Sequence, residues 1–304
     1  VQPITADIVD KVRKQGLGGK LLDDGALRYV IFLNPVRMRP IRRSKAESMV
    51  KTVARVARSF DVVINGNYYY VDYYTGARAQ LGTAAAPADT KVEGRVVLGG
   101  KIVAGDSRPD RFYIAEVMNA MQVGKKSRGW HYEVGKGNPP TGSTVVAGVG
   151  NLGPLVDDGL RYGTGNQYRP PAKGPKQGDP GNRLRSSLTQ RNDNTFASVE
   201  SLDVRTGKTI IAWHPAANAL LVGVQSHFDG GPKRSGTSYR RIGQLLRAAG
   251  FTEAVFCDGS DSAMLWHGGK MIIAPGEAKA NTMTIGIGFA QVRTAAPAAR
   301  KEKR

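Results

Sequence analysis

Cysteine is nearly missing from this chain: Cys257 is the only one in 304 residues. No intramolecular disulfide can form, and a thiol in the apolar run ahead of an Asp-Gly turn reads as a small buried hydrophobe rather than a reactive group. A chain of this length buries a sizeable core without covalent staples. Long apolar runs are lacking too. None approaches the ~20 residues a membrane-spanning helix needs, so no span is expected. The opening VQPITADIVDKVRKQ has no basic-then-apolar layout of a signal peptide, and a start at Val rather than Met is the pattern of a trimmed chain. No pair of His, or of His with Glu, has the spacing of a zinc site, so no metal ligand is assigned. No solenoid or propeller period recurs.

Acidic side chains are scarce: 25 Asp and Glu stand against 44 Lys and Arg, a formal charge of +19. Such a field attracts anions, which brings nucleic acid, anionic lipid surfaces and phosphate-bearing polymers into view as partners. The charge gathers in RMRPIRRSK (37–45), YRPPAKGPKQGDPGNRLR (168–185) and the terminal RKEKR. None interleaves aromatics at a base-stacking spacing, and no helix-turn-helix, zinc-finger or RNP-type pattern is present, which argues against nucleic acid without excluding it on charge. The bland alternative for each run is a solvated face or tail.

What the chain does have is short Val/Ile/aromatic-rich segments punctuated by Gly, Asn, Asp and Pro, the signature of strands. They fall at 27–33, 61–72, 94–105, 143–150, 195–204, 208–214, 219–225, 253–259 and 282–290, and Gly99-Gly100 reads as a two-residue hairpin turn. Helices are fewer. Residues 44–59 open with Ser44 and Glu47 as a capping box, and 237–249 carry Ile242, Leu245, Leu246 and Ala249 on one face with Gly250 at the stop. Each helix leads straight into a strand that ends in a polar loop. The expected fold is a single α+β domain with a mixed, largely antiparallel sheet and a few packed helices. Residues 1–60 form an N-terminal strand and helix on the core, 61–291 the main domain with a basic loop at 163–191, and 292–304 a disordered tail.

Four of the polar loops follow buried strands. AVFCDGSDSAMLW (254–266) brings Asp258 to a strand end, where a half-desolvated and rigidly aimed carboxylate is suited to a shifted pKa or to stabilising positive charge. NGNYY (65–69), GNLGPLVDDG (150–159) and RNDNTFASV (191–199) are the others. Taken alone, each is also what an Asx-type turn bonding its own backbone would look like.

Taken in order, these blocks resemble the phosphodiester glycosidase family. NGNYY is similar to its N-G-G-x-F turn, GNLGPLVDDG to its G-G-P-L-L-V-x-x-G segment and NTFASV to R-T-A-I-G. SGTSYRRIGQLLRAAGFTEAVFCDGSDSAMLW resembles its long helix-strand-D-G-G-G-S-S block, and ANTMTIGIGF its closing strand. Together they cover residues 60–290 approximately. The resemblance implies a hydrolase that cleaves the glycosidic C–O bond of a sugar-1-phosphodiester in an anionic glycoconjugate or envelope polymer, in a periplasmic or secreted setting. It implies Asp258 as nucleophile or as base for water, with Asp261 second and His227 protonating the leaving group. Asn65, Asn67 and Thr195 would bond sugar hydroxyls or phosphate oxygens, Tyr68 would stack on the sugar, and Ser260 and Ser262 would hold phosphate. Gly153, Gly236, Thr237 and Gly259 fall on the matching motif positions.

The departures are specific. Asn67 stands for the second glycine of N-G-G, Ser260 and Asp261 for two glycines after the Asp-Gly, and Asn194 for an arginine. Losing that arginine removes a bidentate anion contact, for which Arg191, three residues earlier, or a lysine or arginine of the basic loop is the expected substitute. No cofactor is expected, with a divalent cation at Asp258 and Asp261 the open alternative. The departures also leave open an inactive binder of phosphate-rich glycan or nucleic acid, and a toxin-like effector built on the same fold.

Overall fold

The computed structural model describes residues 1–33, 36–44, 47–67, 69–70, 91–109, 111–119, 129–161, 207–227, 236–276 and 280–292; for residues 69, 70, 160, 161, 240 and 260 it describes the backbone alone. The expected basic loop, the strand at 195–204 and the tail beyond residue 292 lie outside these residues. Among the described residues the chain is dominated by sheet, with helices at Ile8–Lys14, Met49–Val56 and Tyr239–Ala248.

Two larger sheets carry the architecture, one of eleven strands and one of five, alongside a two-stranded ribbon. Every pairing among the described residues is antiparallel, so the largely antiparallel character expected is found, whereas the parallel pairs of a mixed sheet are not present among them. The sheets pack face to face. Val30, Ile211, Val222 and Val255 of the large sheet share a core with Val62, Ile64, Leu265 and Phe289 of the small one.

Alternate residues of the same strands face outward into two further cores, because successive side chains of a strand point to opposite faces. Tyr29, Ile210, Ala254 and Phe256 pack against Ile8, Val12, Ile242 and Leu246 of the helices over the large sheet. Val63 and Met264 pack against Met49 and Val53 of the helix over the small one. Both faces of the central strands are therefore covered. That is why Lys208–His214, Ala219–Gln225 and Glu253–Phe256 read as near-continuous apolar runs.

Local signals settle several element ends. Ser238 caps the helix Tyr239–Ala248 by accepting from Arg241 N at 3.2 Å, and Gly250, at φ 84°, stops it. Gly99 and Gly100, at φ 56° and 75°, make the expected hairpin turn between Val96–Leu98 and Lys101–Ala104. The first capping box is corrected: the helix starts at Met49, capped by Ser48, whose hydroxyl accepts from Lys51 N at 3.3 Å. Buried Arg43 takes the carbonyls of Ser44 and Glu47, each at 3.1 Å, and the Glu47 carboxylate turns to Thr52 and Arg55. Those groups are thereby unavailable to a helical turn at residue 44.

The basic run beginning at Arg37 is a strand, Val36–Arg42, with Val36, Met38 and Ile41 buried and Arg37, Arg39 and Arg42 exposed. Its edge is closed by Glu116, fully buried on Phe112–Met118, which accepts Met38 N at 2.6 Å and pairs with Arg37. Arg37 in turn lies 4.9 Å from the Trp130 ring centre.

A second carboxylate sits where the central strand begins. Glu253 accepts Asp158 N at 3.2 Å, and burial, with Asp157 nearby, pushes its pKa up to about 7. The charged form is the disfavoured one. Below the ordinary carboxylate range Glu253 is neutral folded or unfolded, and stability is lost as pH rises through about 7. Glu253→Gln is therefore expected to melt with the parent at pH ~4 and roughly 2–3 °C above it at pH ~8, a gain of about 1–2 kcal/mol after discounting for solvent screening. An equal gain at both pH values in a thermal scan would refute this.

Candidate functional site

The two helix-then-strand units end beside each other, one in each sheet. Val62–Asn65 of the small sheet delivers Asn65, and Glu253–Phe256 of the large one runs on through Cys257 to Asp258. Asn65 binds the two ends together. Its Nδ2 donates to the Asp258 carbonyl at 2.5 Å, while its Oδ1 accepts from Thr209 Oγ1 at 2.6 Å and Met264 N at 3.0 Å. Asp258 N donates to the Gly66 carbonyl at 3.1 Å and Cys257 N to the Thr209 carbonyl at 2.8 Å. At 1% exposure, Asn65 spends its carboxamide on the protein and holds the Asp258 turn in place.

Asp258 itself is half-buried, and its Oδ1 accepts from the N–H of the adjacent Gly259 at 3.1 Å, one residue short of the i to i+2 bond of an Asx turn. The chain then makes a 3-10 turn over Ser260–Ser262, closed by Ser262 N to the Gly259 carbonyl at 3.1 Å. Asp261 is half-buried on this turn and its carbonyl accepts Gly276 N at 2.8 Å, whereas Ser262 is buried. Gly259 is needed for close approach: a Cβ there would lie 2.7 Å from the Gly207 carbonyl oxygen and 3.1 Å from Tyr239 Oη.

Gly207 leads to His227. Its N–H donates to His227 Nδ1 at 3.2 Å, which in that tautomer leaves the ring proton on Nε2. Beyond it lies Lys208, which sequence reasoning missed. This lysine is fully buried with its ammonium 5.1 Å from the Tyr239 ring centre, and Tyr239 packs on Phe256 at 4.6 Å between centroids. Lys208 is register partner to Gln225, also fully buried, whose Oε1 accepts Thr237 N at 2.8 Å next to half-buried Gly236. The signal available in the sequence was a lysine opening an otherwise apolar strand.

Gly153 lies opposite Phe256 in the large sheet, and a Cβ on it would fall 1.7 Å from the Phe256 ring. Its absence of a side chain makes room for the strand that carries Asp258. Asn67 faces another neighbour. It is 2% exposed and its Nδ2 donates to the carbonyls of Glu93 at 2.6 Å and Gly94 at 3.3 Å, leaving Oδ1 buried with no donor among the described residues. Glu93 pairs with Arg108 at 3.2 Å, and its carbonyl also accepts Asn151 Nδ2 at 3.3 Å. Asn151 was not anticipated. The GNLGP block is part of one strand, Val145–Asp157, with Asn151 at φ 57° where the register shifts between Val149 and Leu152.

Thus Asn65, Asp258, Gly259, Asp261 and Ser262 come together directly, His227 joins them through Gly207, and Gly153 supports the strand beneath. Asn67 is tied to a separate polar cluster at Glu93. Tyr68, Arg191, Asn194 and Thr195 lie outside the described residues, as does the side chain of Ser260. Cys257 is buried, and that burial, with the Asp258 charge, pushes its thiol pKa far up, so it is an inert core residue.

No family model matches the chain, and no curated protein matches its sequence. Its fold is similar to three solved structures. The catalytic domain of zebrafish N-acetylglucosamine-1-phosphodiester alpha-N-acetylglucosaminidase, auto-inhibited by its pro-peptide, matches with a TM-score of 0.50 at 15% identity, over 88% of this chain and 76% of that one. A candidate exported protein of Burkholderia pseudomallei K96243 gives 0.48 at 12%, over 87% and 73%. A hypothetical protein from Synechocystis gives 0.47 at 13%, over 88% of this chain, which spans 60% of that protein's length. The likeness is one of fold: this chain shares a distant architecture with a phosphodiester glycosidase domain.

Proposed function

We propose that the chain is a hydrolase of the phosphodiester glycosidase type, cleaving the glycosidic C–O bond of a sugar-1-phosphodiester in an anionic glycoconjugate or envelope polymer outside the cytoplasm. The observation that carries this reading is the junction of the two sheets, where buried Asn65 fixes the turn bearing Asp258. A phosphate monoester is a weakly basic leaving group, so strong general-acid help matters less than in ordinary glycoside cleavage. What the reaction asks for is a fixed carboxylate beside the anomeric carbon and positive potential for the phosphate.

In this scheme Asp258 is the nucleophile or the base for water, and Asp261 is the second carboxylate of the same turn. His227 donates a hydrogen bond through Nε2, and Asn65 acts as a positioning residue. Buried Lys208 adds positive potential at the same end of the sheet. Arg191 and Thr195 would contact phosphate and Tyr68 the sugar, whereas Asn67, buried against Glu93 and Gly94, is a structural residue rather than a sugar ligand. Chelation followed by metal add-back tests for a cation at Asp258 and Asp261.

A second reading, an inactive glycan binder, is favoured by the residues that depart from the family pattern, Asn67, Asn194, Ser260 and Asp261. Incubation with a panel of glycosyl-1-phosphodiesters separates the two. Release of free sugar supports the hydrolase, and binding without turnover supports the binder.

A further inference from the structure

The strand Val62–Asn65 has two ends, and the Asp258 junction uses only one. At the other, roughly 10 Å away by strand rise, lies a cleft of about 820 Å³. That volume is within the range of small-molecule sites, about 300–1,000 Å³. One wall is the end of the helix Met49–Val56 and the turn after it, which contribute Ala54 and Arg58. The other is the hairpin of Leu265–His267 and Lys270–Ile273, which contributes Trp266 and His267, and Phe60 and Asp61 lie between them.

The lining is a particular mixture. Phe60 and Trp266 line the cleft and are both half-buried, packing also against the core around Met49 and Met264. Arg58 is exposed and makes no ion pair among the described residues. Asp61 is anchored by accepting Gln291 N at 2.7 Å through Oδ2. His267 donates from Nε2 to the Gly19 carbonyl at 3.0 Å, which turns Nδ1 into an acceptor.

One cation beside one anion gives the cleft no preference for charge, in a protein whose overall charge is +19. A phosphate group would meet the Asp61 carboxylate. A neutral ring with an apolar C–H face and adjacent hydroxyls matches every element: the face stacks on an aromatic ring, and its O–H groups donate to Asp61 and His267 and accept from Arg58. We propose that this cleft is a saccharide-binding site, distinct from the Asp258 junction, that holds a neutral pyranose between Trp266, Phe60, Arg58 and Asp61. It does not depend on hydrolysis at Asp258. If both sites act, they lie far enough apart to engage one polymer at two places.

Titration calorimetry of the whole chain with maltotriose, cellotriose and chitotriose tests this. At least one is expected to bind with one-to-one stoichiometry and millimolar affinity or better. Arg58→Ala should weaken that binding about tenfold by removing a charge-assisted contact. Ala54→Trp, an exposed helix position at the cleft wall, should block it while melting stays at the parent value. Asp258→Asn should bind the same sugar as the parent does. Failure of all three trisaccharides to bind at millimolar concentration, or binding that survives Ala54→Trp, would overturn the proposal.

Discussion

Asp258→Asn is expected to lower cleavage of a sugar-1-phosphodiester by about 10²-fold or more, with melting unchanged. The substitution keeps the shape of the turn: an Asn Oδ1 can still accept Gly259 N, the 3.1 Å bond of the native residue. The Asp258 carbonyl and N–H still bond Asn65 and Gly66. Only the negative charge is lost, and with it the stabilisation of an oxocarbenium-like transition state. Steady-state rates alongside a thermal scan check this. Normal turnover by a normally folded variant would remove Asp258 from the chemistry.

Asn65→Ala is expected to act through the fold. Thr209 Oγ1 and Met264 N lose their partner in the buried interior, and the Asp258 carbonyl loses the same partner at its half-buried turn. Stranded buried polar groups cost about 1–3 kcal/mol each and do not add fully, so a loss of about 3–4 kcal/mol is expected, or roughly 5–6 °C in melting temperature. Turnover should fall as the Asp258 turn loosens. Asn65→Asp should not rescue, because it keeps the acceptor for Thr209 and Met264 but sets a second oxygen against the Asp258 carbonyl. Calorimetry of both variants provides the measurement, and native-like melting of Asn65→Ala would show that the junction is held by other contacts.

Much of this junction was legible in the sequence because its signals are local. A helix stop at Gly250, an apolar run and then Asp-Gly specify a strand that ends in a tight turn, and Asp-Val-Val-Ile-Asn-Gly-Asn does the same in the other sheet. What local signals do not carry is partnership. Asn65 looks like a ligand-binding amide until Thr209 and Met264, far off in sequence, are placed around it.

The unread strands failed for the same reason. Phe112–Met118 carries Glu116, a charged residue that breaks an apolar pattern, yet its carboxylate satisfies Met38 N on the opposite sheet. Val36–Arg42 hides an alternating strand inside what looks like a run of charge. Asn151 stands in a Gly-rich block with every mark of a turn, and the strand passes through it as a bulge because Asn tolerates the left-handed conformation it adopts there. The short strands Leu265–His267 and Lys270–Ile273 and the helix Ile8–Lys14 are brief enough that packing, more than propensity, decides them.

Which bond breaks is the most direct test of the proposed chemistry. Attack at the anomeric carbon and attack at phosphorus give the same two products but place the solvent oxygen in different ones. Hydrolysis of a glycosyl-1-phosphodiester in ¹⁸O-labelled water, followed by mass spectrometry of both products, reads this out. With Asp258 acting at the sugar carbon, the label is predicted at the anomeric hydroxyl and the released phosphate monoester stays unlabelled; label in the phosphate would contradict it.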